Sequence, residues 1–246
     1  MNRSRTEIEG VPAIVWGAAS NRVWLCVHGQ GGRKEDAEGF AALAEEHGAQ
    51  AVSLDLPEHG ERVGQDALCV PWQAVLEIQS AAAWARSRWR WLGLRGESLG
   101  AWFGMLALGV QPPDRALFVS PVLDMAALIS DMMSWAGVTA DRLEREGEIP
   151  TDFGQTLSWK YFCYAKEHAV RRWECPTEIL YAREDALIRR ETVDRFAARF
   201  HAGLTVTEGE HWFHTPEQID TLTEWTRVCL TKEEGRKRHE TAKRDI

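Results

Sequence analysis

The chain has no basic excess. Its 29 lysines and arginines are outnumbered by 37 aspartates and glutamates, for a net charge of −8 and a pI near 5.6. That balance argues against a nucleic-acid partner, which needs a basic face. Long apolar runs are missing too: no stretch approaches the 18 or so residues of a membrane span. The N-terminal MNRSRTEIEG has no apolar run behind its basic residues, so no signal peptide is expected. The five cysteines, Cys26, Cys69, Cys163, Cys175 and Cys229, are odd in number, scattered, and never in CxxC spacing. Neither a disulfide framework nor a zinc site is indicated, and a reducing cytoplasm is the expected setting. Internal repeats are absent.

What is present is ordinary for a soluble globular protein, with one excess. A chain of 246 residues can bury a large core. Its 12 tryptophans must largely pack in that core or line a pocket, because indole is seldom left in water in such numbers.

The hydrophobic pattern alternates between strand and helix signals. VPAIVW (11–16) and RVWLCV (22–27) read as strands, the second a continuous apolar run of the kind found in buried parallel sheets. Residues 35–47 carry helical spacing, with Gly48 as a stop. QAVSLDL (50–56) reads as a strand, 72–88 as a helix, WRWLGLRG (89–96) as a strand, 99–109 as a helix and RALFVSP (115–121) as a strand. Between 122 and 173 the pattern is helical, rich in methionine and aromatics, and less regular. The earlier rhythm then resumes with TEILYA, ETVDRFAARF, GLTVTEG and PEQIDTLTEWTRVCL. This is the signature of a mostly parallel sheet with crossover helices. The expected organisation is one α/β domain over 1–230, a helical cap inserted at 122–173, and a charged, frayed tail at 231–246.

The strongest local signal is Gly96-Glu97-Ser98-Leu99-Gly100, placed between an apolar strand and a helix. A sharp strand-to-helix turn holds such a serine in a strained conformation with its hydroxyl exposed at the sheet edge. The residues two away must be small to fit the turn. The helix N-terminus behind it offers free N–H groups to developing negative charge. Taken alone, Ser98 reads equally well as a helix N-cap at a glycine-rich turn. Context separates the two readings. VHGQGG follows one strand, DLPEHGER the next, GESLG a third, and an acid and then a histidine come later. With these landmarks in this order, residues 11–230 resemble the α/β-hydrolase superfamily, and look most like its small bacterial esterases and acyl-peptidase-like members.

The resemblance implies a catalytic triad. A serine needs a general base within hydrogen-bond reach, and the base needs a third group to fix its tautomer. The family's acid position falls on Asp185 in LYAREDALI, with Glu184 as an adjacent rival and Ala182 where relatives often carry glycine. The family's base position falls on His211 in GEHWFH, between the last strand and the last helix; His214 is the competitor, read first as a capping or packing residue near Pro216. His201 belongs to a helix end and His239 to the charged tail. The separations are 87 residues from Ser98 to Asp185 and 26 from Asp185 to His211. The first leaves room for a cap and the second fits a helix plus a strand.

Donors for an oxyanion are expected from the backbone N–H of Leu99 and, by resemblance, of Gln30 in the loop His28-Gly29-Gln30-Gly31-Gly32. That loop is not a phosphate loop, since no Gly-Lys-Ser/Thr follows. Asp55, Glu58, His59 and Arg62 read first as supports for the loops around the site. Gly29, Met133, Trp135, Trp159 and Trp212 are candidate pocket residues, methionine being adaptable to varied shapes. The expected chemistry is hydrolysis of a short or medium acyl ester through an acyl-enzyme on Ser98, with no metal or organic cofactor. A thioester or small amide would use the same machinery. A lyase, a perhydrolase or a ligand-binding protein on the same fold stay open as alternatives, because fold does not fix function. The expected partner is a small-molecule acyl substrate.

Overall fold

The computed structural model describes residues 1–65 and 68–244, with the side chains of the last helix described through Thr231. Ten strands are assigned: β1 (Arg3–Ile8), β2 (Val11–Trp16), β3 (Arg22–Val27), β4 (Gln50–Leu54), β5 (Trp91–Glu97), β6 (Arg115–Val119), β7 (Glu148–Pro150), β8 (Thr156–Ser158), β9 (Thr177–Ala182) and β10 (Gly203–Thr207). Eight α-helices accompany them among the described residues: α1 (Glu38–Glu46), α2 (Pro71–Arg86), α3 (Leu99–Leu108), α4 (Met125–Trp135), α5 (Ala140–Glu146), α6 (Trp159–Glu167), α7 (Arg190–Phe200) and α8 (Pro216–Arg244). Eight strands form one sheet in the order β1-β2-β4-β3-β5-β6-β9-β10. β1 pairs antiparallel with β2 and β2 with β4, while β4, β3, β5, β6, β9 and β10 pair in parallel.

Period-two alternation explains why this sheet is covered on both faces. Val23, Leu25 and Val27 of β3 face one core, while Trp24 and Cys26 face the other. β6 divides likewise, with Ala116 and Phe118 on one side and Leu117 and Val119 on the other. The first core takes in apolar residues of α2, α3, α4 and α7. The second takes in Phe40, Ala41, Leu43 and Ala44 of α1 and Trp225, Cys229 and Leu230 of α8. Trp16, Trp24 and Trp102 are wholly buried, as the tryptophan excess required. The Trp16 indole donates to Ser53 Oγ at 2.8 Å, which satisfies its one polar atom.

The strands read from sequence are all present. β1 was not anticipated: its RSRTEI pairs residue by residue with β2, from Arg3 opposite Trp16 to Ile8 opposite Val11. Only Ile8 of β1 is buried, so its apolar signal is too faint to announce a strand. Between β6 and β9 lie α4, α5 and α6, as the helical pattern implied, together with a two-stranded ladder of β7 and β8 that it did not. These strands have three residues each, too short for a period to register. The backbone from 231 to 244, expected to fray, continues α8. The run is built largely from Glu, Lys, Arg and Ala, all strong helix formers. The side chains beyond 231, His239 included, lie outside the described residues. Among the described residues, no helix is long and apolar enough to cross a membrane, and none of the five cysteines is in a disulfide.

The topology locates the site. From β3 the chain turns to β4 on one side of the sheet and then to β5 on the other. The carboxyl ends of β3 and β5 therefore flank a switch point, where open α/β sheets form their crevices. Register brings these ends level: Val27 lies opposite Gly96, Glu97 opposite Val119, and Ala182 opposite Thr207.

Candidate active site

Ser98 sits at the tip of β5 with φ 46° and ψ −116°, a positive-φ conformation that costs a non-glycine residue energy. Surrounding backbone holds it there. Its N–H donates to Val119 O at 3.0 Å, and its carbonyl accepts from Val122 N at 3.0 Å and Ala101 N at 3.2 Å. The flanking glycines are required by contact. A Cβ on Gly96 would stand 2.6 Å from Ala101 Cα, and one on Gly100 would stand 2.3 Å from the carbonyl oxygen of Val27.

Three side chains from three separate loops meet in a line. His211 Nδ1 is 2.7 Å from Asp185 Oδ2, and His211 Nε2 is 2.9 Å from Ser98 Oγ. A carboxylate only accepts, so Nδ1 carries the proton and donates to Asp185. Nε2 is then a lone-pair acceptor facing the Ser98 hydroxyl. The other oxygen of Asp185 accepts from Leu187 N and Ile188 N, both at 2.9 Å. The Asp185 side chain is fully buried and His211 nearly so. Glu184 is exposed, and its N–H donates to Gly209 O. His214 is also exposed, its ring bonded to Trp212 O at 2.9 Å. His201 caps the end of α7. The line therefore draws in Asp185 and His211, and neither rival.

The loop after β3 packs directly against the serine. A Cβ at Gly29 would lie 3.1 Å from that of Ser98. His28 anchors the loop: Leu56 N–H donates to its Nε2 at 3.1 Å, so its Nδ1–H donates to Gly29 O at 2.7 Å. Burial is the main reason its pKa is lowered to about 4, with nearby His59 adding to the shift, so its ring is neutral at pH 7. Leu99, directly after Ser98, is the first residue of α3, and the N–H groups of a first turn have no partner within the helix.

The segment after β4 supports that loop, as expected for the polar cluster around Asp55. Asp55 is fully buried and accepts from Lys34 Nζ at 2.7 Å, Lys34 N at 2.8 Å and Glu61 N at 3.0 Å. Burial alone would raise its carboxyl, but the hydrogen bonds from Lys34 and Glu61 outweigh it and hold the group below its ordinary value. Arg62 clamps Glu77 of α2 through paired bonds of 2.6 and 2.8 Å. Lys34 was not anticipated as a buried partner, since a lysine two residues past a glycine loop reads as solvated.

Two cavities open beside Ser98, and Gln30, His211 and Trp212 line both. One, of about 520 Å³, is walled by Val122, Met125, Leu128, Ile129, Met132, Trp135, Phe153, Leu157, Tyr161 and Leu187, with Cys69 at its edge. Burial pushes the Cys69 thiol up to about 12, which makes it a poor nucleophile. The other, of about 450 Å³, is more polar and lies along the Gly29–Gly32 loop. Of the pocket residues expected from sequence, Trp135 and Trp212 line the apolar cavity and Gly29 lines the polar one. Met133 and Trp159 line neither. Met133 is turned into the core next to Met132, which takes the wall position, and Trp159 packs against Phe162 with ring centroids 5.8 Å apart.

Solved structures share this architecture. The ferulic-acid complex of Est1E from Butyrivibrio proteoclasticus superimposes with a TM-score of 0.73 at 16% identity, covering 94% of this chain and 99% of that one. Mouse alpha/beta hydrolase domain-containing protein 10 gives 0.74 at 14% identity, covering 94% and 99%. A soluble variant of the monoglyceride lipase of Saccharomyces cerevisiae gives 0.66 at 11%, covering 94% of each chain. No protein-family model and no curated protein matches the sequence. The chain has the α/β-hydrolase fold, with its mostly parallel sheet flanked by helices.

Proposed function

We propose that this protein is a serine hydrolase that cleaves carboxylic esters of short or medium acyl chains. The observation that carries the reading is the line Ser98 Oγ, His211 Nε2, His211 Nδ1, Asp185 Oδ2, with spacings of 2.9 and 2.7 Å, ending on a serine strained at φ 46°. Strain of this kind persists where the surroundings over-determine it, and it marks functional positions.

In this mechanism Ser98 Oγ attacks the ester carbonyl as His211 Nε2 takes its proton. The tetrahedral oxyanion is held by the backbone N–H groups of Leu99 and Gln30. His211 then gives its proton to the departing alcohol, leaving an acyl group on Ser98. Water attacks that acyl group, with His211 again as base, and the carboxylic acid is released. Asp185 fixes the imidazole and stabilises its charged form without taking the proton. The acyl chain is assigned to the apolar cavity, whose volume lies within the usual range for small-molecule sites. No step calls for a metal or organic cofactor.

Labelling with a neutral fluorophosphonate tests this. One adduct by intact mass is expected on wild type and none on Ser98→Ala, together with turnover of p-nitrophenyl butyrate that the variant lacks. A folded wild-type protein with neither adduct nor turnover overturns the proposal and favours a ligand-binding role.

A further inference from the structure

We infer that the polar cavity beside Ser98 receives the leaving group and selects a cationic one, so that the preferred substrates are esters of amino alcohols. The inference rests on the hydrolase reading above and adds to it the charge of the alcohol.

The two cavities meet at Ser98 and His211, so a bound ester has one part in each. They differ in chemistry. The walls of the larger are mostly aliphatic and aromatic and carry no carboxylate, lysine or arginine among the described lining residues, a place where an unpaired ion would be strongly disfavoured. The wall of the smaller carries Glu97, Asp36 and Ser120, together with Trp212, Phe213 and Leu222. Among the described residues that line it there is no lysine or arginine. His28, which also lines it, is neutral at pH 7, because burial holds it near 4.

Both carboxylates have one cationic neighbour and still reach outward. Glu97 pairs with Arg95 at 2.9 Å yet leaves 42% of its side chain exposed. Asp36 lies 3.7 Å from Arg33 and is 45% exposed. Arg33 itself is directed to solvent.

Two further features distinguish this wall. Ser120, at the end of β6, is 2% exposed and held at φ 42°, and its hydroxyl has no hydrogen-bond partner. A buried hydroxyl left unpaired is costly, which marks Ser120 as a strained position in this wall. Trp212 is 66% exposed beside the reacting imidazole, its ring centroid 6.2 Å from that of His211. An indole face at that place attracts a quaternary or protonated amine. A cation here meets two carboxylates and an aromatic surface, whereas an anion meets the same two carboxylates with no lysine or arginine on the cavity wall.

The test compares three butyrate esters on the intact protein: butyrylcholine, its uncharged isostere 3,3-dimethylbutyl butyrate, and the anionic 2-sulfoethyl butyrate. The expected order of kcat/KM is cation, isostere, anion. The outer two should differ by at least about tenfold at low salt, and the gap should narrow as salt is raised. Asp36→Asn should cut the cation-to-anion ratio about threefold or more, mainly through KM, and Trp212→Leu should raise KM for the cation more than for the isostere. Equal rates, an inverted order, or no turnover of butyrylcholine by a protein whose Ser98 takes the fluorophosphonate would overturn this inference and leave the hydrolase reading standing. Absence of both label and turnover would overturn the two together.

Discussion

Replacing Asp185 by asparagine tests the triad at its least obvious point. One oxygen of Asp185 accepts from two backbone donors, Leu187 N and Ile188 N, each at 2.9 Å. An asparagine must place its carbonyl oxygen there, since turning its amide group to those donors would leave three buried N–H groups in conflict. Its NH2 is then forced toward His211 Nδ1, which must become the acceptor. The proton moves to Nε2, and Nε2 can no longer take the proton of Ser98. The side chain keeps its shape, so the fold should survive with a cost of about 1–3 kcal/mol for the weakened buried bond. Catalysis should not: the wrong tautomer in a serine triad costs about 10,000-fold in kcat, or about 5 kcal/mol of barrier. The assay is kcat/KM on p-nitrophenyl butyrate beside a thermal melt. Glu184→Gln and His214→Ala, which alter the two exposed rivals, should stay within about threefold of wild type. A folded Asp185→Asn protein within about tenfold of wild type would refute the tautomer argument.

Two other perturbations probe the scaffold. Lys34→Met should leave Asp55 buried without its cation and destabilise the protein by about 3–5 kcal/mol, a fall in Tm of roughly 6–20 °C, read by calorimetry. In wild type, Asp55 is held below its ordinary value, so its contribution is fully present above the unfolded carboxyl's value of about 4 and is lost as pH falls through the lower folded value. In Lys34→Met, burial acts on Asp55 without its lysine, so the deficit relative to wild type should shrink on acidification from pH 7; a deficit constant with pH would contradict the role given to this pair. Gly100→Ala should abolish activity or folding, because its methyl would stand 2.3 Å from Val27 O and 2.4 Å from His28 O, backbone that cannot swing aside; wild-type turnover in this variant would disprove the tight packing of the elbow on the loop after β3.

The fold and the strained turn at Ser98 were legible in the sequence for a local reason. RVWLCV, WRWLGLRG and RALFVSP are apolar runs whose two faces are both buried, so each declares a central strand without help from its neighbours. The GESLG turn announces itself because sterics at Gly96 and Gly100 admit almost no other residue. Asp185 and His211 were placed by the order of motifs. What brings them near one another is tertiary: the loops after β5, β9 and β10 leave the same end of the sheet, which the sequence can imply only once the strand order is known.

The cavity walls belong to a different kind of information. In α4 the residues Met125, Leu128, Ile129 and Met132 follow one helical stripe at spacings of three and four, and all four line the apolar cavity. Met133 is one residue further on, about 100° around the helix, and faces the core instead. Periodicity identifies such a stripe but not what it faces, because core and cavity are equally apolar. The same ambiguity hid Ser120. A serine after an apolar strand reads as a turn residue, and its interest lies in what the sequence cannot carry: a positive φ, full burial, and a hydroxyl with nothing to bond. Chemistry written in residue type and spacing, as at Ser98, can be read from one chain. Selectivity of the kind proposed is written in which wall a residue joins, and it emerges only when the loops at the ends of β3, β5, β6 and β10 are brought together around the Ser98 hydroxyl.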